Sequence, residues 1–207
     1  LAHVDDGRRF WGDGLDFEGA GQHARAQQAW AAAQDRLLLA NTELQDLVKS
    51  NDIDMIKQVK TVLPEVSQWL VRVYLALGQM HATSGAYPEA IRHLERARKQ
   101  LNDHHQALFL HGRALMESGR PADAIPLFEQ LSRSHVEPGA RHNLAVCFFK
   151  LGRIDEARAN YLRALALDPF YGPSLLNLAA LEIQTHHEDR ARPFLETLIA
   201  YNPPSPH

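Results

Sequence analysis

A repeat of about 34 residues that keeps its phase over the C-terminal two-thirds constrains this chain more than any other feature. Gly78, Gly112, Ala145 and Ala179 recur at nearly equal intervals, and Ala90, Ala124, Ala157 and Ala191 keep the same intervals. Seven residues beyond the first set stand Gly85, Gly119 and Gly152, with His186 in their place in the last unit. Four beyond the second lie Leu94, Phe128, Tyr161 and Leu195, one helical turn further along the same face. Self-similarity at this period marks one supersecondary unit used several times over.

The physical reading of the unit follows from its small residues. A glycine inside a helix costs about 1 kcal/mol relative to alanine, so Gly78 and Gly112 need a packing reason, and close approach of a second helix supplies it. Each unit therefore reads as helix A, a turn at the glycine, and helix B. Small residues on A are expected to face small residues on B, with bulky ones filling the gaps between. One such pair cannot bury its apolar faces alone; stacked neighbours do.

These units resemble tetratricopeptide repeats. The segment NLAVCFFKLGRIDEARANYLRALALDP, from Asn143 to Pro169, matches that family's motif nearly throughout. LGQMHATSGAYPEAIRHLERA, HGRALMESGRPADAIPLFEQL and NLAALEIQTHHEDRARPFLETLIAYNP match it well. A weaker fifth match, FWGDGLDFEGAGQHARAQQAWAAAQ, sets Gly14, Phe17, Gly21, Ala26, Trp30 and Ala33 at the family spacing. The interval from Gly14 to Gly78 is nearly two periods, so almost a whole period of extra sequence separates this unit from the next. The resemblance implies an all-α, right-handed superhelical solenoid of antiparallel helix pairs.

The expected organisation is a single domain over 1–207: a divergent repeat at 7–38, a helical insertion at 39–70, then repeats at 71–104, 105–137, 138–171 and 172–205. Residues 22 to about 49 read as one elongated helix. Ser50, Asn51 and Asp52 are suited to cap a short helix running to Leu63, and Pro64 suits the first turn of a long helix reaching Ser84. The insertion is expected to bend or interrupt the regular stacking, either as a spacer or as a partner-specific or self-association element.

Composition narrows the function. With 22 basic against 25 acidic residues, neither nucleic acid nor an acidic membrane surface is favoured as a partner. No apolar run approaches the roughly 20 residues of a spanning helix, so direct membrane insertion is not expected. The chain begins at Leu1 with no secretory leader pattern, which reads as a mature product or an excised domain. A single cysteine, Cys147, allows no intramolecular disulfide framework and fits a reducing compartment, favouring the cytoplasm while leaving the periplasm open.

Candidates for catalysis are poor. The twelve histidines are scattered; His104, His105 and His111 are close in sequence and His186 and His187 share a turn, but no Cys or carboxylate completes a metal-ligand spacing. No strained nucleophile elbow precedes a serine, and glycine-rich phosphate loops are absent. Cys147 lies between Val146 and Phe148 on the apolar side of a helix, where it reads as a small buried hydrophobe. No enzymatic activity, metal or cofactor is expected.

What remains is a surface. The resemblance implies that A helices form an inner wall on which a protein or peptide partner lies. Carried over residue by residue, that wall holds Leu75, Gln79 and Thr83; Phe109, Arg113 and Met116; His142, Val146, Phe149 and Lys150; and Leu176, Ala180 and Ile183. Phe109 and Phe149 are large apolar residues on a face expected to be wet. They either pack against a neighbouring A helix or line a groove for an apolar peptide, with Arg113 and Lys150 holding an acidic group.

One subset of the family clamps the acidic tails of heat-shock chaperones with Lys, Asn and Arg; the equivalent sites here hold Trp11, Leu15, Ala76, Gln106 and Leu110, so that clamp is missing. Asn143 and Asn177 match asparagines that in the family often tie adjacent repeats together. At the C-terminus the sequence runs from Tyr201 into NPPSPH, whose prolines cannot continue a helix. Either the last unit caps itself through Glu188, Arg190, Arg192 and Glu196, or a second chain or another domain covers it. The leading expectation is a non-enzymatic adaptor. A self-associating structural module, forming a homo-oligomer, and the regulatory part of a larger enzyme are the alternatives.

Overall fold

The structure, a computed structural model, describes residues 2–49, 52–101, 104–134 and 137–201. Every element among the described residues is an α-helix: α1 Ala2–Gly19, α2 His23–Val48, α3 Ile53–Thr83, α4 Tyr87–Gln100, α5 His105–Glu117, α6 Pro121–Ser134, α7 Pro138–Lys150, α8 Ile154–Leu167, α9 Gly172–Gln184 and α10 Glu188–Tyr201. They group into two compact units, Leu1–Ala114 and Leu115–His207.

The turns sit where the repeat places them. Gly21, Gly85, Gly119 and Gly152 have φ between +70° and +81°, the left-handed region that closes a helix. The fifth turn has the same geometry without glycine: His186 sits at φ +60°, alone in this among the described non-glycine residues.

In the first unit α1 pairs with α2 and α3 with α4. A Cβ built on Gly78 would lie 2.6 Å from Leu94 Cγ, and one on Gly14 2.2 Å from Trp30 Nε1. The small residue on helix A thus faces a bulky one on helix B, not a small one as the sequence suggested. Gly78 and Gly14 make room for Leu94 and Trp30, which are buried through that approach. Trp11 stacks on Trp30 with ring centroids 5.8 Å apart and meets Trp69 edge-on at 6.4 Å. An ion pair between Arg8 and Glu65 joins α1 to α3.

The inserted residues make no separate helix. They lengthen α2 to 26 residues and α3 to 31, against 13 or 14 for each helix from α4 to α10. As expected, α2 is one elongated helix; the division at Leu63 and Pro64 is not there, because α3 runs unbroken through Pro64. A proline in a helix interior costs about 3 kcal/mol, while each fully buried aliphatic side chain contributes about 1.5–3 kcal/mol. Pro64 is exposed, and Val59, Val66 and Leu70 are buried on either side of it, so continuous burial outweighs the lost hydrogen bond. Asp52 caps α3, accepting from the Asp54 and Met55 amides at 3.0 and 3.1 Å; Ser50 and Asn51 lie outside the described residues.

In the second unit α7 pairs with α8 and α9 with α10, while α6 lies against α7 and α8 against α9. Ala145, Ala157, Ala164, Ala179 and Ala191 are buried at the repeat's small positions, with Phe128 and Tyr161 at its bulky ones. Cys147 is buried, and burial pushes its thiol up to about 12, as suits a packing residue rather than a nucleophile. No described helix is long and apolar enough to cross a membrane.

Candidate functional site

Among the described residues, each unit bears a cleft on its A-helix face. In the first unit Trp11 and Leu15 of α1, Arg72, Leu75, Ala76 and Gln79 of α3, and Gln106 of α5 surround a cleft of about 450 Å³. Four of these, Trp11, Leu15, Ala76 and Gln106, occupy the clamp-equivalent positions, so those positions do converge. Their side chains are apolar or amide and hold no anion. The one cation in the lining, Arg72, lies over the Trp69 ring at 4.6 Å.

In the second unit Val146, Phe149 and Lys150 of α7, Tyr161 of α8, and Asn177, Ala180 and Leu181 of α9 enclose about 310 Å³. Val146 and Phe149 are half-buried, and Lys150 is exposed. Lys150 makes no ion pair among the described residues. Asn177 hydrogen-bonds the Tyr161 hydroxyl across the junction of two repeats, and burial pushes that phenol up to about 12. Asn143 is buried in α7.

The thirteen wall residues do not all face solvent. Val146, Phe149, Lys150 and Ala180 converge in the second cleft, and Leu75 and Gln79 in the first. Leu75 and Met116 are buried at 7% and 5% exposure, so most of their surface belongs to the interior. Thr83 is exposed and donates its hydroxyl proton to the Met80 carbonyl at 2.8 Å. Phe109 is half-buried with the Arg113 guanidinium 5.9 Å from its ring centre. Leu176 and Ile183 stand exposed on α9, at 53% and 46%.

His142 is structural. Its Nδ1 lies 3.0 Å from Ser174 Oγ, and the rings of Tyr161 and Tyr171 are each 5.6 Å away. Burial lowers its pKa to about 4, so at neutral pH it is an uncharged link between α7 and α9. Of the scattered histidines, His81 and His93 form a parallel stack 5.4 Å apart. Among the described residues no group of three or more His, Cys, Asp or Glu is placed to hold a metal ion.

Sequence reasoning missed an ion pair inside the second unit. Glu182 of α9, 2% exposed, receives Arg158 of α8 through Nε at 2.5 Å and Nη2 at 3.4 Å. Asp155 Oδ1 accepts from the same guanidinium at 2.8 Å. The signal was present as an acid inside the apolar run LLNLAALEI, where a buried carboxylate needs a partner.

Residues 71–96 and 109–172 match family descriptions of the tetratricopeptide repeat. These stretches of the chain are tetratricopeptide repeats. The fold of the chain is shared over nearly its whole length with solved structures of MamA. The fragment from residue 41 to the end of MamA from Desulfovibrio magneticus RS-1 superposes with a TM-score of 0.72 at 15% identity, covering 97% of this chain and 98% of that one. A second MamA crystal structure gives 0.73 at 14% identity over 98% of both chains. MamA from AMB-1 gives 0.61 at 20% identity, over 97% of this chain and 93% of the other. Among curated proteins no relative matches the sequence significantly. The fold is thus the all-α helix-pair solenoid of a protein-interaction scaffold.

Proposed function

We propose that this chain is a non-enzymatic adaptor that holds a peptide or helix of a partner protein against its A helices. The supporting observation is the second cleft, where the apolar Val146, Phe149 and Ala180 sit beside Lys150, a cation with no ion pair among the described residues. Apolar walls bury an anchor side chain, and a rim lysine selects for an adjacent acid. The ligand is accordingly a short apolar segment flanked by Asp or Glu. The chain acts as one array of five repeats, at 7–38, 71–104, 105–137, 138–171 and 172–205, and works in the cytoplasm.

Selection of a displayed random-peptide library tests this reading. The wild-type chain is expected to enrich apolar-acidic sequences that neither Phe149→Asp nor Lys150→Glu retains, both variants having been checked for unchanged helical content. Recovery of the same sequences by all three proteins would remove the cleft from consideration.

A further inference from the structure

In the first unit Arg8, Arg9 and Arg92 are each paired with the acid three residues before them, Asp5, Asp6 and Glu89. Arg72 has Trp69 at that position instead. Its guanidinium lies 4.6 Å from the indole centre, and it makes no ion pair among the described residues. A guanidinium that rests by its face on an aromatic ring keeps its fork of N–H donors free. Arg72 lines the first cleft, and no Asp or Glu lines it with Arg72, so the charge there is unopposed. The other polar residues of the lining, Gln79 and Gln106, are exposed, and their amides make no hydrogen bond among the described residues. Each such amide can both donate and accept. On α1, Trp11 is half-buried and Leu15 is 49% exposed, which gives the cleft an apolar side.

This set of groups suits an extended backbone and not a helix. A helix pairs its peptide groups internally, whereas an extended chain presents an unpaired N–H and C=O at each residue for amides such as Gln79 and Gln106. Arg72 and Gln79 stand seven residues apart on α3, about 10 Å along its axis, which is the span of about three residues of extended chain. We propose that the first cleft holds an extended acidic peptide segment. Arg72 grips an Asp or Glu side chain through its fork, Gln79 and Gln106 bond the backbone, and Trp11 and Leu15 cover a large apolar side chain about three positions from the acid. The cleft is bounded by the successive A helices α1, α3 and α5, so a further repeat added to the array would not fill it. The assignment rests on these residues alone and stands or falls apart from the reading of the second cleft.

The test begins with a displayed library of ten-residue segments carrying proline at every third position, which excludes helix. It is selected on the full chain with Lys150→Glu, so that the second cleft does not contribute. Segments that join Asp or Glu to Phe, Leu or Trp are expected to be enriched. A fluorescent copy of the most enriched segment is then titrated by anisotropy. Arg72→Lys keeps the charge but loses the planar fork and should weaken binding by about tenfold. Replacing the acid of the peptide by its amide should do the same while leaving the protein untouched. Absence of acids from the enriched segments, undiminished affinity for the amide peptide, or equal affinity for an alanine-rich helical peptide with the same acid and apolar residue overturns the proposal. So does sedimentation showing a wild-type dimer that Arg72→Lys dissociates, which would assign the cleft to a second copy.

Discussion

Gly78 lies so close beneath Leu94 that a single added methyl group would sit 2.6 Å from the leucine Cγ. The repeat's small residues are therefore spaces reserved for particular large neighbours. Gly78→Ala gains about 1 kcal/mol of helix propensity but incurs an overpacking cost of about 1–3 kcal/mol, so a net loss of roughly 1 kcal/mol is expected. Urea denaturation measures it. In a double-mutant cycle with Leu94→Ala, the combined loss should be smaller than the sum of the single losses, because the second substitution removes the clash.

His186 adopts the backbone conformation that Gly21, Gly85, Gly119 and Gly152 adopt in the turns within the other four helix pairs. A left-handed conformation costs a non-glycine residue about 1–2 kcal/mol, and glycine's extra freedom in the unfolded chain offsets part of that gain. His186→Gly should stabilise the protein by up to about 1 kcal/mol, and Gly152→Ala should destabilise it by a similar amount. Thermal unfolding of both variants checks the sign.

The Arg158 and Glu182 pair predicts non-additivity. Arg158→Met leaves Glu182, 3% exposed at its side chain, without its cation and should cost about 3 kcal/mol. Arg158→Met with Glu182→Leu should recover most of that loss, because no charge is then buried unpaired. Urea midpoints of wild type, both single variants and the double variant decide it.

Two histidines make stability depend on pH. Burial lowers both His93 and His142 from 6.5 to about 4, His81 and the neighbouring arginines adding to the effect at His93. The unfolded chain consequently takes up these protons first as pH falls below about 6.5, and stability is lost progressively down to about pH 4. The loss is on the order of 2–3 kcal/mol per histidine. His142→Gln, which keeps a hydrogen-bonding group beside Ser174, should flatten the fall in urea midpoint between pH 7 and pH 5. An unchanged slope would assign the dependence elsewhere.

Repeat phase made the fold legible because a single physical constraint, helix against helix at fixed spacing, recurs at Gly78, Gly112, Ala145 and Ala179. Of the wall residues that the resemblance implied, Gln79 lies in the first cleft and Val146, Phe149, Lys150 and Ala180 in the second. Periodicity could not separate wall from interior at Leu75 and Met116, since the apolar stripe of an A helix merges into its core face. It placed a break at Pro64 because local propensity favours one. Val59, Val66 and Leu70 overrule it through contacts distant in sequence. Arg72 and Arg158 escaped notice because their roles depend on which helix lies alongside.

The tryptophan cluster has an experimental consequence. Trp11, Trp30 and Trp69 are the chain's only tryptophans, and all three lie in the N-terminal unit, where Trp11 is in ring contact with both of the others. Indole emission is thus an optical label for one half of the molecule, whereas circular dichroism at 222 nm sums the helices of both. Recorded together during denaturation, the two signals divide if the units melt separately and coincide if the array melts as one.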